Sequence, residues 1–253
     1  MQQSPFGETR TRVEFNHALI APDGHVVSPL VCWDNAQAVV LISPTMGHGA
    51  AAPRFVQYMV DGSSSCETHH AEVNVERLVY VLEGAATLDG DSLAADSFAW
   101  FPPNDRYRLE VPESTRVLVF EKVYEPLSGN KVPQRMTGSL AASPKAPFLG
   151  DPEAMLATLL PVEPGFDMAV NVFEYTPGTT LPFVETHVME HGLYMRSGQG
   201  VYRLGDRWYP VQQGDSIWMA SYCPQWFVAM GKENASYIYY KDIHRPLLHQ
   251  PAT

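Results

Sequence analysis

The feature that most constrains this chain is an internal repeat. RLVYVLEGAATL at 77–88 lines up with HGLYMRSGQGVYRL at 191–204, with a tyrosine and a glycine matched in each copy. The matched pairs are Tyr80 with Tyr194 and Gly84 with Gly198. Further along, DSFAWF at 96–101 matches DSIWMA at 215–220 after a short insertion. A long-period repeat of one unit predicts two similar domains in tandem.

The repeated unit is typical of β-structure. Short runs rich in Val, Ile, Tyr, Phe and Trp recur between Gly, Pro, Asp and Asn residues, which is the pattern of a β-sandwich or barrel. These runs lie at 38–43, 54–60, 77–84, 96–102, 115–124, 168–177, 192–204, 215–220 and 235–243. Only DPEAMLATLLP at 151–161 predicts a helix, with Asp151 as its N-cap and Pro161 as its stop. The chain is predicted to be all-β with few short helices.

The domain boundaries follow from the repeat and from composition. At 253 residues the chain has room for two small domains of about 100–150 residues each. The segment 125–150 is rich in Pro, Gly and Ser, which is typical of a linker. We therefore predict an N-terminal domain at 1–124, a linker at 125–150 and a C-terminal domain at 151–253.

Composition excludes several classes of protein. Hydrophobic residues make up 45% of the chain, enough for a substantial core. The chain has 17 Lys and Arg residues, 28 Asp and Glu residues and no basic block, which argues against nucleic-acid binding. No apolar run is long enough to span a membrane, and no signal-peptide pattern is present at residues 1–12. Three dispersed cysteines fit a reducing compartment, so a cytoplasmic protein is predicted.

Metal-binding side chains cluster in the second half. Glu185 and His187 are two residues apart, so both point to the same face of a strand, and His191 can return to that face after a bend. Gln225 follows a Gly-bounded turn further on. Two imidazoles, a carboxylate and an amide oxygen suit a borderline divalent ion such as Mn, Fe or Ni.

This spacing resembles that of the two cupin motifs, but the residue types at the ligand positions differ. Glu185 stands where cupins usually have the first His, His191 where they have Glu, and Gln225 where they have the last His. The altered set is similar to that of the (S)-ureidoglycine aminohydrolase family, bicupins of purine (allantoin) breakdown. The resemblance covers essentially the whole chain and implies a bicupin fold of two tandem jelly-roll-like barrels.

The resemblance also implies a reaction and a site. The family binds Mn(II) and hydrolyses ureidoglycine to ureidoglycolate and ammonia, so the expected partner is this small molecule. The implied metal ligands are Glu185, His187, His191 and Gln225. The implied substrate-binding residues are Tyr202, Tyr237, Glu185 and Gln225, and the implied catalytic residue is Lys241.

The residues around Lys241 support that role. Tyr237, Tyr239 and Lys241 alternate along ASYIYYKDI at 235–243 and so share one face of a strand. If that face looks into the barrel, a lysine beside a metal ion has its pKa lowered and can transfer a proton.

The first half is expected to have lost its metal. When the two halves are aligned on the repeat, the positions equivalent to Glu185, His187 and His191 are Ala71, Val73 and Arg77. The position equivalent to Gln225 falls near Arg106 or Tyr107. None of these is a metal ligand. His69 and His70 form a site only if the register slips.

Two alternative functions stay open at this stage. A bicupin dioxygenase or decarboxylase would use the same ion for oxygen chemistry, but Gln225 argues against it because those cupins usually present three His and a Glu. A non-catalytic small-molecule-binding bicupin is the other. Cupins commonly pair through sheet edges, so we expect a homo-oligomer, a dimer or a multiple of dimers.

Overall fold

The regular structure of the protein is almost entirely β. The computed structural model describes residues 9–47, 52–63, 65–70 and 73–245. Apart from single 3-10 turns at Pro22–Gly24 and Leu140–Ala142, every regular element of these residues is a strand. Each β-run expected from the sequence contains at least one of them. The all-β prediction is therefore confirmed.

The strands follow one another with short connections. In the first half they are β1 (Arg12–Val13), β2 (His17–Ile20), β3 (Val27–Ser28), β4 (Gln37–Ile42), β5 (Phe55–Asp61), β6 (Cys66–His70), β7 (Val75–Glu83), β8 (Ala85–Leu88), β9 (Asp91–Ala94), β10 (Ser97–Phe101), β11 (Tyr107–Val111) and β12 (Arg116–Val123). The rest are β13 (Met136–Ser139), β14 (Lys145–Phe148), β15 (Asp151–Thr158), β16 (Met168–Tyr175), β17 (His191–Ser197), β18 (Gln199–Leu204), β19 (Arg207–Gln212), β20 (Ser216–Met219), β21 (Gln225–Met230) and β22 (Ala235–Asp242).

Four sheets arrange these strands into two barrels. The N-terminal barrel combines a seven-stranded sheet, in the order β13-β10-β7-β12-β5-β4-β3, with a four-stranded sheet, β6-β11-β8-β9. The C-terminal barrel combines an eight-stranded sheet, β1-β2-β20-β17-β22-β16-β15-β14, with a three-stranded sheet, β19-β18-β21. All the pairings between strands are antiparallel, as expected where short turns connect neighbouring strands.

Three apolar cores hold this arrangement together. One fills the space between the two large sheets and includes Trp100, Phe120, Trp218 and Tyr240, each fully buried. The other two lie inside the barrels. The two large sheets pack face to face. The outer face of each sheet therefore forms the interface between the barrels, and its inner face lines the interior of its own barrel.

The sequence repeat corresponds to a repeated turn. Gly84 lies between β7 and β8, and Gly198 between β17 and β18, with φ of 75° and 71° respectively. Both values fall in the left-handed region, where a Cβ atom is strained. The matched glycines therefore allow the same tight connection in both barrels.

The helix predicted at 151–161 is wrong. The segment instead contains β15, which pairs with β14 on one side and β16 on the other. The Asp151 side chain does accept a hydrogen bond from the Glu153 N–H, at 2.9 Å, but the chain then continues extended. Ala154 is buried inside the C-terminal barrel and Ala157 in the core between the two large sheets, so pairing with two neighbouring strands outweighs the local helix preference.

Strands cross the boundaries predicted at 124 and 150. From the first segment, β2 pairs with β20 of the C-terminal barrel. From the segment 125–150, β13 pairs with β10 of the N-terminal barrel and β14 with β15 of the C-terminal barrel. The domain boundaries themselves stay predictions. Within the described residues, no helix is long and apolar enough to cross a membrane.

Candidate active site and metal centre

The predicted ligands lie on an irregular segment that crosses the mouth of the C-terminal barrel. This segment, 181–190, is tied down at Glu185, whose N–H donates to the Gln225 carbonyl at 2.8 Å while the Gln225 N–H donates to the Glu185 carbonyl at 2.9 Å. The His187 carbonyl accepts a hydrogen bond from the Tyr222 N–H at 2.7 Å. The segment then runs into β17 at His191. Backbone hydrogen bonds thus bring Gln225 to the segment that carries Glu185 and His187.

The two imidazoles lie close to each other. The rings of His187 and His191 are stacked with centroids 4.6 Å apart. His187 Nε2 lies 2.8 Å from Gln225 Nε2, within hydrogen-bond distance. His191 also stacks against Tyr239, with centroids 5.4 Å apart and planes within 3° of parallel. Packing on both faces fixes the plane of the His191 ring.

A cavity of about 120 Å³ opens between these side chains. A space of this size admits several waters or one small organic molecule. All seven side chains predicted for the site line it, namely Glu185, His187, His191, Tyr202, Gln225, Tyr237 and Lys241. The structure therefore brings the predicted set together, although this placement does not by itself establish their roles.

One face of β22 forms a wall of the cavity. Tyr237, Tyr239 and Lys241 all line it, as their alternation predicts. Tyr237 is held by a hydrogen bond between its hydroxyl and that of Tyr175, 3.0 Å apart. Lys241 lies opposite His191 in the register of β17 and β22. The lysine and a predicted metal ligand are therefore side by side on adjacent strands.

Burial governs the protonation of the site. It lowers the pKa of His191 well below 6.5 and that of His187 to a smaller extent, and the nearby Lys241 lowers both further. Burial also lowers the pKa of Lys241, an effect opposed by the Glu185 carboxylate. It raises the pKa of Glu185, while Lys241 acts in the opposite direction. Neutral imidazoles at neutral pH are the form that binds a metal ion.

The donor set fits a metal ion. His187 Nδ1 and His191 Nε2 are buried with no hydrogen-bond partner, and a buried nitrogen left this way is costly unless something binds it. Across the described residues, no group of three His, Cys, Asp or Glu side chains is already spaced to hold an ion. Glu185 and Gln225 would complete the donor set, with the Gln225 amide turning its oxygen toward the ion. An amide is easily reoriented in this way.

The N-terminal barrel carries an ion pair at the equivalent place. Arg77 pairs with Glu121 in the register of β7 and β12, just as His191 pairs with Lys241 in the other barrel. The two side chains form a buried ion pair, and the Tyr58 hydroxyl donates to Glu121 at 2.6 Å. His69 lies on the exposed side of β6, 3.7 Å from Glu67. Residues 71 and 72 lie outside the described part of the chain.

Four lining residues were missed by sequence reasoning, namely Phe148, Phe173, Met189 and Leu193. Phe148 comes from the segment predicted as a linker and packs edge-on against Phe173, with ring centroids 4.9 Å apart. Met189 lines the cavity from the ligand segment. The alternation along β16 indicates which side of that strand Phe173 faces, but no sequence signal places Phe148 beside it.

The sequence and the fold are similar to those of characterised proteins. Residues 171–240 match the family described as Cupin domain. An (S)-ureidoglycine aminohydrolase of Arabidopsis thaliana is 40% identical over 246 residues, covering 94% of this chain and 80% of the relative. An (S)-ureidoglycine aminohydrolase of Escherichia coli K12 is 31% identical over 239 residues, covering 91% of this chain and 89% of the relative.

A solved structure agrees over the full length. The crystal structure of a putative glyoxylate-induced protein from Pseudomonas aeruginosa superposes with a TM-score of 0.85 at 28% identity, covering 99% of this chain and 96% of that one. The similarity to the two sequence relatives covers more than nine-tenths of this chain. The chain belongs to the (S)-ureidoglycine aminohydrolase family.

Proposed function

We propose that this protein hydrolyses (S)-ureidoglycine to (S)-ureidoglycolate and ammonia, with Mn(II) held by Glu185, His187, His191 and Gln225. Enzymatic action on a C–N bond follows from the family. The reaction is proposed as a step of purine (allantoin) degradation. The single observation that carries the proposal is one small cavity lined by four metal-type donors, a lysine and three tyrosines.

The reaction exchanges two groups on one carbon. The bond from this carbon to the amine breaks, a bond to a water oxygen forms, and the amine leaves as ammonia after gaining a proton. A bound divalent ion supplies Lewis-acid stabilisation of negative charge on the substrate. The protein must hold the carbon in one orientation, since the cavity walls decide which face water reaches.

We assign the proton transfer to Lys241. Its ammonium group faces the cavity beside the Glu185 carboxylate, and it is part-buried on β22. A lysine in such a position donates a proton to the departing amine and regains one from water. No other lysine or arginine lines the cavity among the described residues.

The tyrosines suit the ureido group. Tyr202 and Tyr237 are both almost fully buried, and burial raises the pKa of each hydroxyl, so both stay protonated at neutral pH. A protonated hydroxyl can donate to a ureido oxygen and accept from a ureido N–H. Tyr175 orients the Tyr237 hydroxyl from behind.

The deciding experiment is chiral analysis of the product. Freshly generated ureidoglycine is mixed with purified protein, with and without added Mn(II), and ammonia release is followed. Ureidoglycine also decays unaided, and that decay gives a racemic product. We expect faster ammonia release and an excess of one ureidoglycolate enantiomer only when Mn(II) is present.

Matched histidine variants give the control. His187→Ala removes a proposed ligand, whereas His69→Ala removes an exposed histidine of the other barrel. The first should lose the Mn(II)-dependent rate and the second should keep it. A racemic product at the background rate from metal-loaded wild-type protein contradicts the proposal.

Two further expectations remain predictions. The first is a cytoplasmic location, and the second is a homo-oligomer built from dimers. Size-exclusion chromatography with light scattering tests the second directly.

A further inference from the structure

A part-buried ionic cluster joins the two barrels next to strands that line the cavity. Its centre is Arg54, which precedes β5 of the N-terminal barrel. One guanidinium nitrogen donates to Asp242 Oδ2 at 2.9 Å, and another forms an ion pair with Glu125. The backbone N–H of Arg54 donates to Glu190 Oε2 at 2.8 Å. One residue of the N-terminal barrel thus contacts two carboxylates of the C-terminal barrel.

Those two carboxylates adjoin the active-site residues in sequence. Glu190 immediately precedes His191, and Asp242 immediately follows Lys241. The Glu190 N–H donates to Asp242 Oδ1 at 2.6 Å, and the Tyr240 hydroxyl donates to Glu190 Oε1 at 3.2 Å. Glu190 and Asp242 are only 3% and 4% exposed, so water does not compete for these contacts.

The cluster fixes the C-terminal end of the ligand segment. Between 181 and 190 the chain forms no regular strand, and its backbone is tied to β21 at Glu185 and, through the His187 carbonyl, to the turn before β21. The other end of the segment is held at Glu190 by the cluster. Because Glu190 immediately precedes His191, this anchor fixes where the segment enters β17.

We propose that Arg54 is a positioning residue, through which the N-terminal barrel holds the metal-ligand segment 181–190 in place. On this proposal the N-terminal barrel, which carries the Arg77–Glu121 ion pair, contributes to the site in the C-terminal barrel. It rests on the metal site of the proposed function but not on the proposed reaction, since metal affinity and segment mobility are measured without substrate.

The test compares Arg54→Met with a control from the same joint. Arg196 lies on β17, the strand that begins at His191, and forms an ion pair with Asp96 of the N-terminal barrel at the far end. Arg196→Met therefore removes an inter-barrel guanidinium without touching Glu190 or Asp242. Both variants are titrated with Mn(II) alone, followed by electron paramagnetic resonance, well below their melting temperatures.

We expect the Mn(II) dissociation constant to rise about 10-fold in Arg54→Met and to stay within twofold of wild type in Arg196→Met, since groups that orient metal ligands typically affect affinity by 10–100-fold. Amide hydrogen exchange in 181–190 should become faster in the first variant only. Arg54→Lys, which keeps one charged contact, should recover part of the affinity. Wild-type affinity and exchange in a folded Arg54→Met overturn the proposal.

A second variant covers the case in which Arg54→Met does not fold. Asp242→Asn keeps the acceptor for the Glu190 N–H but turns an amide toward the guanidinium, and the same two measurements decide. The outcomes also separate the two proposals. Normal Mn(II) binding with no turnover of ureidoglycine contradicts the function alone, whereas unchanged affinity and exchange with normal turnover in the variants contradict the positioning role alone.

Discussion

Replacing Lys241 with methionine removes the ammonium group and keeps most of the aliphatic stem against the cavity wall. Lys241 is not one of the four metal-type donors, so the ligand set is intact in Lys241→Met. General acid–base groups contribute about 10²–10⁴-fold to rate, which corresponds to roughly 3–5 kcal/mol of transition-state stabilisation. We expect kcat/KM for ureidoglycine to fall by that factor.

Metal affinity should move in the opposite direction. The lysine charge lowers the pKa of both histidines and repels a bound cation, so its loss should leave Mn(II) affinity equal or stronger. Ammonia release and Mn(II) titration are measured on the same preparation, beside Lys232→Met, an exposed lysine, as the control. Turnover within tenfold of wild type, or an activity loss matched by lost metal, refutes the reasoning.

Three other predictions concern stability. A Cβ at Gly192 would overlap the Tyr240 ring, so Gly192→Ala should lower the free energy of unfolding by about 1–3 kcal/mol in urea titration. Burial, and after it the nearby Asp167, raises the pKa of the Glu76 carboxyl in the folded protein. The stabilisation that the protonated carboxyl gives the fold is therefore complete below about pH 4.5 and is lost as pH rises. Glu76→Gln should therefore gain stability relative to wild type between pH 5 and 8, and a constant difference would contradict the assignment. Arg77→Met leaves the Glu121 carboxylate without its ion-pair partner, so it should lower the free energy of unfolding by about 3–5 kcal/mol in the same titration. An unchanged free energy of unfolding would show that the ion pair adds nothing to stability.

Patterns that depend on local periodicity could be predicted from the sequence. The alternation of Tyr237, Tyr239 and Lys241 places all three on one face, and the structure puts that face in the cavity. The matched glycines of the repeat also anticipate equal turns in the two barrels. In both cases the information lies within a few residues, where backbone geometry dictates side-chain direction.

Features that depend on distant partners could not be predicted. The segment 151–161 carries helix signals, yet β15 forms because strands β14 and β16 lie on either side of it. Phe148 reaches the cavity only because β14 adds to the sheet edge. Arg54 meets Glu190 and Asp242 across more than a hundred residues of chain. No local pattern encodes contacts of this kind.

The pairing of β2 with β20 has a consequence for biosynthesis. The arm that contains β2 leaves the ribosome well before its partner, which is made about 200 residues later. At roughly 5–20 residues per second, the arm waits about 10–40 s for that partner. All four residues of β2 are buried in the finished protein, so during this interval an apolar strand edge is open to other nascent chains. Slow translation of the segment that ends in β20 should therefore reduce the yield of folded protein, because β20 shelters a strand that was synthesised long before it.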